Sequence, residues 1–387
     1  MVNATAIDAA LRRATDAREI AGVVAMATSA TDLLYQGTFG VTDLATGTAL
    51  RPDNIFRLAS MTKAITSVAT MQLVEQGKLA LDAPIALVLP HLAAPMVLDG
   101  FLANFMPRLR PAAGPITLRH LLTHTAGFGY DTWNADLERA TAALGLPDRP
   151  TNTDELARTP LLFDPGTRWN YSIATDILGH VITAASGLAI DDYLETHVTG
   201  PLGMPDTTFT LTPAQRERLV AVHQRQADGS LGPGDRPAGN GPAWLAAGGG
   251  LCSTAGDYIR FLRMLLRGGT LDGARLLDAA TVADMARNHI GALDVTPMVS
   301  ANPKMSYDAD LFPGMTQKWG LGFLINPQRG QNGRSAGSLA WAGLVNTYFW
   351  IDPTAGIAGV LLSQSLPFAD PKALALLGAF ERGIYDL

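Results

Sequence analysis

Ser60 and Lys63 stand three residues apart in RLASMTK (57–63), at the head of the run AITSVATMQLVEQGKL. Of the five lysines in the chain, Lys63 is the one with a serine three positions before it. On a helix that spacing puts both side chains on one face, within hydrogen-bond reach. At a helix N-terminus the pair also meets unpaired backbone N–H groups and the positive end of the helix dipole. Burial and that dipole both favour a neutral amine, which can take a serine proton and release a nucleophile. The competing reading is an N-cap serine followed by a solvated first-turn lysine. A cation is unfavourable in a first turn, and SMTKAITSVATM is otherwise apolar. The spacing by itself leaves both readings open.

Two further segments hold groups that such a pair would need. In PGTRWNYSIATDILGH, Pro165-Gly166 marks a turn and Ser172 is placed to cap a helix starting at Ile173. Tyr171 then lies at the helix entrance, where a phenol can shuttle a proton; the alternative is a packed tyrosine with a satisfied hydroxyl. In GSLAWAGLVNTYFW, Trp341 and Gly343 alternate along an expected strand. Glycine there permits close approach of another backbone or a ligand. This suits an edge strand lining a cleft, with the Leu344 N–H as an oxyanion donor. The alternative is a core strand with a packed tryptophan.

Three other features draw the eye and carry less. GRSAG (333–337) matches the G-x-S-x-G elbow, but that motif needs a strand before it and a helix after it. Here a polar loop precedes Ser335 and a strand is expected to follow. His120 and His124 in HLLTH have metal-ligand spacing but no adjacent glutamate and no evident third ligand, so loop-bonded structural histidines are the better reading. Cys252 is the single cysteine, which excludes an internal disulfide and a thiolate metal cluster and reads as a core residue.

The elements that would position these groups follow from periodicity. Ile7, Ala10, Leu11 and Ala14 make one face of a helix over 6–18, and GVVAMATS and DLLYQGTFGVTD read as two strands turning near Ala30–Asp32. From Ser60 to about Gly77, the apolar Ile65, Val68, Met71 and Leu73 predict a helix stopped by Gly77. Between about 83 and 240 strand alternation disappears, and short helical segments alternate with Pro and Gly. The stretch GSLGPGDRPAGNGP (229–242) reads as a border or flexible rim. STAGDYIRFLRMLLRGG predicts a helix with a Thr254/Asp257 capping box. WGLGFLIN, LAWAGLVNTYFWIDP and GIAGVLLSQS read as three successive strands, the last two turning at DPTAG, and KALALLGAFERGIYDL as a closing helix. The expected fold is α/β (α+β): a largely antiparallel sheet from residues 1–82 and 241–387, flanked by the N- and C-terminal helices. A mostly helical domain, 83–240, is inserted, and the site is expected at the junction.

Composition bounds the partners. The chain has 387 residues, 47% of them hydrophobic and 17% charged, with a net charge of −6 and no basic block. That argues for a compact globule and against nucleic acid or an anionic membrane surface as partner. No apolar run reaches the roughly 18 residues of a membrane span, and IAGVVAMATSA is preceded by Asp8, Asp16 and Glu19 rather than net positive charge. The sequence therefore reads as cytoplasmic. Its oligomeric state is not legible.

Taken in order, FRLASMTKAITSVATMQLVEQGKLALDAPI, ITLRHLLTHTAGF, FDPGTRWNYSIATDILGHVI, GPLGMPDT, GGGLCSTAGDYIRF and AWAGLVNTYFWIDP resemble segments of the serine β-lactamase/penicillin-binding-protein-like hydrolases. The resemblance is closest to the esterase branch called family VIII carboxylesterases, related to class C β-lactamases and to polyketide acyltransferases. It implies that Ser60 forms an acyl-enzyme, that Lys63 and Tyr171 share the base role, and that the Ser60 and Leu344 N–H groups form the oxyanion hole. It also implies that Trp341 and Gly343 line the pocket and that no metal or organic cofactor takes part. Two departures bear on substrate. Ile173 stands where the β-lactamases and peptidases usually have an asparagine, and Trp341-Ala342-Gly343 replaces Lys-Thr-Gly or His-x-Gly. Both changes favour a neutral ester over an anionic β-lactam; Tyr130, Trp133 and Phe128 in GFGYDTW read either as an added apolar wall or, equally, as surface-loop aromatics. The expected activity is hydrolysis of short-chain carboxylic esters, with acyl transfer to alcohols as a possible accompaniment. A β-lactamase or D-Ala-D-Ala carboxypeptidase, and a non-turnover acyl-binding sensor, are the other readings.

Overall fold

A computed structural model describes residues 2–147, 149–234 and 247–387. Residues 235–242 of the expected border lie outside the described residues. Helix α1 (Ala4–Asp16), capped by the Asn3 side chain, buries Ile7, Ala10, Leu11 and Ala14, the face that periodicity singles out. Strands β1 (Gly22–Ser29) and β2 (Leu33–Gly40) follow, then α2 (Thr62–Glu75). After a helical middle containing α3 (Ala174–Ser186) come α4 (Ala255–Leu266), the short β3 (Lys318–Trp319) and β4 (Leu324–Asn326), then β5 (Ser338–Gly343), β6 (Thr347–Asp352), β7 (Ile357–Leu362) and α5 (Pro371–Ile384).

One seven-stranded sheet runs β3-β4-β5-β6-β7-β1-β2, with every neighbouring pair antiparallel. Side chains alternate faces along a strand. Trp350 therefore meets Phe380 of α5 on one face, while Phe349 meets Tyr258 of α4 on the other. Helix α1 packs on α5 and β2, and α2 packs on α3. This is the α/β arrangement expected from the sequence, closed by the first and last helices. Among the described residues no helix is long and apolar enough to cross a membrane.

Several elements differ from their sequence expectation. WGLGFLIN is two short strands, because Gly322 adopts a left-handed φ of 98° and turns the chain against α2. A Cβ at Gly322 would lie 2.2 Å from Ser67 Oγ. LAWAGLVNTYFWIDP is also two strands, turned by Asn346 at φ 58° with its N–H on the Gly343 carbonyl at 2.9 Å; asparagine tolerates that region better than most residues. Strand β5 is interior rather than an edge strand, yet β4 pairs only with Ser338–Ala340, so Trp341–Gly343 run free beyond its end. The middle of the chain holds two hairpins besides helices, Met96–Phe101 with Pro107–Pro111 and His223–Arg225 with Leu231–Pro233. Their largely half-buried or exposed residues give little alternation to read. Helix α2 is enclosed from Thr62 to Leu73 rather than amphipathic, since its small hydroxyl residues pack inside; Thr66, for example, donates to the Ala247 carbonyl. It ends at Gly77, φ 69°, with Gly77 and Lys78 N–H groups on the Val74 and Leu73 carbonyls.

Candidate active site

Ser60 sits in a one-turn 3₁₀ segment, Ala59–Met61, that leads into α2. It makes no cap to the helix; its neighbour Ala59 holds φ 46°, a strained value for a residue with a Cβ. Three elements fasten this turn. Tyr258 of α4 donates to the Met61 carbonyl at 3.0 Å, and Thr347 of β6 donates to the Leu58 carbonyl at 3.1 Å. Gly343 of β5 lies so close that a Cβ there would be 2.2 Å from the Leu58 oxygen. The expectation that Gly343 permits backbone approach thus matches what the strand meets, although the partner is the turn that carries Ser60 rather than a ligand.

Lys63, the second residue of α2, is 1% exposed. Its Nζ lies 3.1 Å from Ser60 Oγ, 3.1 Å from Tyr130 Oη and 2.6 Å from the Gly248 carbonyl. It also lies 4.9 Å from the centre of the Tyr171 ring and 5.3 Å from that of Tyr130. A solvated surface lysine is excluded. Tyr130 donates in turn to Asp176 Oδ2 at 3.3 Å, and the Gly248 N–H donates to Asp176 Oδ1 at 2.9 Å. Burial, then the Asp176 carboxylate, hold the Tyr130 phenol protonated, well above its usual range.

Tyr171 reaches the same site through its ring, and its hydroxyl accepts from Trp341 Nε1 at 3.3 Å. Trp341 therefore stands behind Tyr171 (ring centres 4.9 Å apart) rather than on the cavity wall. His124 packs edge-on to Tyr171 and Trp319, and its Nδ1 lies 3.2 Å from Ser172 Oγ. Burial, and secondarily Lys63, push its pKa well below the ordinary imidazole value. Ser172 accepts from the Ala174 N–H at 3.3 Å, one residue later than the expected helix start. His120 Nδ1 instead accepts the Thr117 N–H at 3.2 Å in a capping box, so the two histidines face different partners.

A cavity of about 30 Å³ opens at Ser60, lined among others by Tyr130, Trp133, Arg149, Tyr171 and Leu344. Ile173 does not reach it; Ile173 lines a neighbouring space of about 20 Å³, with Arg149 common to both. Phe128 is buried in the core, 1% exposed, while Tyr130 is a hydrogen-bonding partner of the lysine more than an apolar wall. Ser335 lies in the turn before β5 with its N–H on Asp352, and no helix follows it. Cys252 is buried, its thiol pushed up to about 11 mainly by burial.

Sequence reasoning missed Asp176, Gly248 and Arg149. Asp176 was detectable as a first-turn carboxylate five residues after Tyr171; Arg149 and Gly248 carry no local signal.

A sequence profile of the family described as Beta-lactamase matches residues 7–381. The chain belongs to the beta-lactamase family. Within it, the chain is 33% identical to monacolin J acid methylbutanoyltransferase of Aspergillus terreus, over 98% of this chain and 95% of that protein. It is 30% identical to esterase EstB of Burkholderia gladioli, over 97% and 94% respectively. Among solved structures, a LovD6 mutant of simvastatin synthase from Aspergillus terreus superposes with a TM-score of 0.85 at 32% identity, covering 99% of this chain and 96% of that one. Two of these relatives are thus an acyltransferase and an esterase, and this chain is an enzyme of the same fold and family.

Proposed function

We propose that the protein is a serine carboxylesterase that hydrolyses short-chain carboxylic esters through a covalent acyl-enzyme, and that it also hands the acyl group to alcohols. The observation that carries this is the Lys63 amine, held among Ser60 Oγ, Tyr130 Oη and the Gly248 carbonyl. A neutral amine has two N–H groups and one lone pair. With the N–H groups on Gly248 and on Tyr130, whose own proton goes to Asp176, the lone pair faces the Ser60 hydroxyl.

In the first step Ser60 Oγ bonds to the ester carbonyl carbon and its proton passes to Lys63. The carbonyl oxygen becomes an oxyanion, met by the Ser60 and Leu344 N–H groups. The carbon–alkoxy bond then breaks, and the leaving alkoxide takes a proton from the lysine by way of the Tyr171 hydroxyl. Trp341 Nε1 donates to that phenol oxygen, so the Tyr171 proton is left to point elsewhere. In the second step water or an alcohol attacks the acyl-enzyme, its proton goes to Lys63, and Ser60 regains its own. The small cavity supports short acyl groups.

Labelling with a fluorophosphonate followed by peptide mass spectrometry tests this. The adduct is expected on Ser60 and is lost in Ser60→Ala; an adduct on Ser335, or none on Ser60, overturns the mechanism. Turnover of p-nitrophenyl acetate over nitrocefin separates the esterase from a β-lactamase, and a single burst without turnover would indicate a sensor.

A further inference from the structure

We propose that Arg149 is a carboxylate-recognition residue at the mouth of the Ser60 cavity, and that the preferred substrates are esters carrying a carboxylate within a few bonds of the scissile carbonyl. This rests on the esterase reading of Ser60. Arg149 lines the same cavity as Ser60, with its guanidinium carbon 5.2 Å from the centre of the Tyr130 ring. Arginine is always charged, and its planar fork matches a carboxylate with two parallel N–H bonds. Stacking on Tyr130 restrains the guanidinium and leaves its N–H groups for a ligand.

Among the described residues, no carboxylate closes an ion pair on it. Asp131 and Asp176 both act on Arg149 through their fields, yet among the described residues neither forms an ion pair with it. Asp176 is engaged elsewhere, one oxygen on Tyr130 and the other on Gly248. By contrast Arg110, Arg119, Arg218 and Arg225 each hold an aspartate at 2.9 Å or less. Arg149 keeps access to solvent although protein crowds its guanidinium, whereas Lys63 is 1% exposed and closed off by its three partners. A cation so placed orients an anionic ester over Ser60 and strengthens its binding. The cation that the Trp-Ala-Gly strand lacks is thereby supplied from another element, and the sequence-based preference for a neutral ester is reversed.

The test compares acetoxyacetate with its methyl ester by release of acetate, each rate normalised to hydroxide-catalysed hydrolysis. Wild-type protein is expected to favour the acid by tenfold or more in kcat/KM. Arg149→Gln should cut that acid-to-methyl-ester ratio at least tenfold, mainly through KM, and Arg149→Lys should restore part of it. The ratio is read within each variant, so a general loss of activity does not mimic the effect. Turnover of both esters with a ratio insensitive to R149Q overturns the carboxylate site alone. Hydrolysis of neither ester by wild-type protein, together with no fluorophosphonate adduct on Ser60, overturns the esterase reading and the carboxylate site with it.

Discussion

Lys63 keeps company with three oxygens and two aromatic rings while almost wholly out of water. A group so placed is either an ammonium satisfied on every side or a neutral amine with one lone pair to offer. Because its own proton goes to Asp176, Tyr130 accepts from Lys63 in either state; only the second leaves a lone pair for the Ser60 hydroxyl. Tyr171 is differently held: its hydroxyl takes the Trp341 N–H and its ring faces the lysine. Lys63→Ala and Tyr171→Phe should each lower the acylation rate by about 100-fold or more, the scale of general acid–base assistance. Stopped-flow release of p-nitrophenol measures it, and a near-normal rate removes the residue concerned from proton transfer.

Among the elements, the short turn Ala59–Met61 is the sensitive one. Its strain at Ala59 persists because α4, β6 and the free end of β5 all grip it. Gly343 is the contact with least slack, since an added methyl would sit 2.2 Å from both the Leu58 oxygen and Thr347 Oγ1. Gly343→Ala should therefore cost about 1–3 kcal/mol of stability by overpacking, and should lower kcat/KM on p-nitrophenyl acetate at least tenfold by moving Ser60. Urea unfolding and steady-state kinetics read the two effects. Wild-type values in both would mean that the strand does not set the turn.

Across the whole molecule, burial lowers the pKa of His91, His120, His124, His180 and His223. The native protein holds these rings neutral where the unfolded chain would protonate them near pH 6.5. Unfolding then takes up protons, so stability is fully present above about pH 6.5 and falls as pH drops below it. For the enclosed His124 the slope is up to about 1.4 kcal/mol per pH unit. Asp82 and Asp206, lowered by their arginine partners, add to the loss only below about pH 4, the unfolded aspartate range. Asp257, raised chiefly by burial, acts in the opposite sense and above that range, adding stability as pH falls through its raised pKa towards about 4. The urea midpoint should therefore fall between pH 7.5 and 5.5, and less steeply in His124→Gln; a flat wild-type profile would contradict the neutral buried histidines.

Local periodicity was enough to find α1, β1, β2, α5 and the stop at Gly77, because each depends on which neighbours along the chain share a face or permit a left-handed turn. The sequence likewise placed Ser60 and Lys63 at the entrance of one helix, and Tyr171 just ahead of another. It could not say that α2 is enclosed on all sides, nor split the strands at Gly322 and Asn346, because a turn within an apolar run leaves no break in composition. Nor could it bring Tyr130, Asp176 and Gly248 around one amine: these lie 67, 113 and 185 residues beyond Lys63, and no local period links them. Which face of Trp341 meets Tyr171, and that Arg149 rather than Ile173 shares the cavity with Ser60, were decided by tertiary packing alone. The Ser60–Lys63 spacing is a property of one short stretch of chain, whereas the environment of the lysine is assembled from segments that only the folded chain brings together.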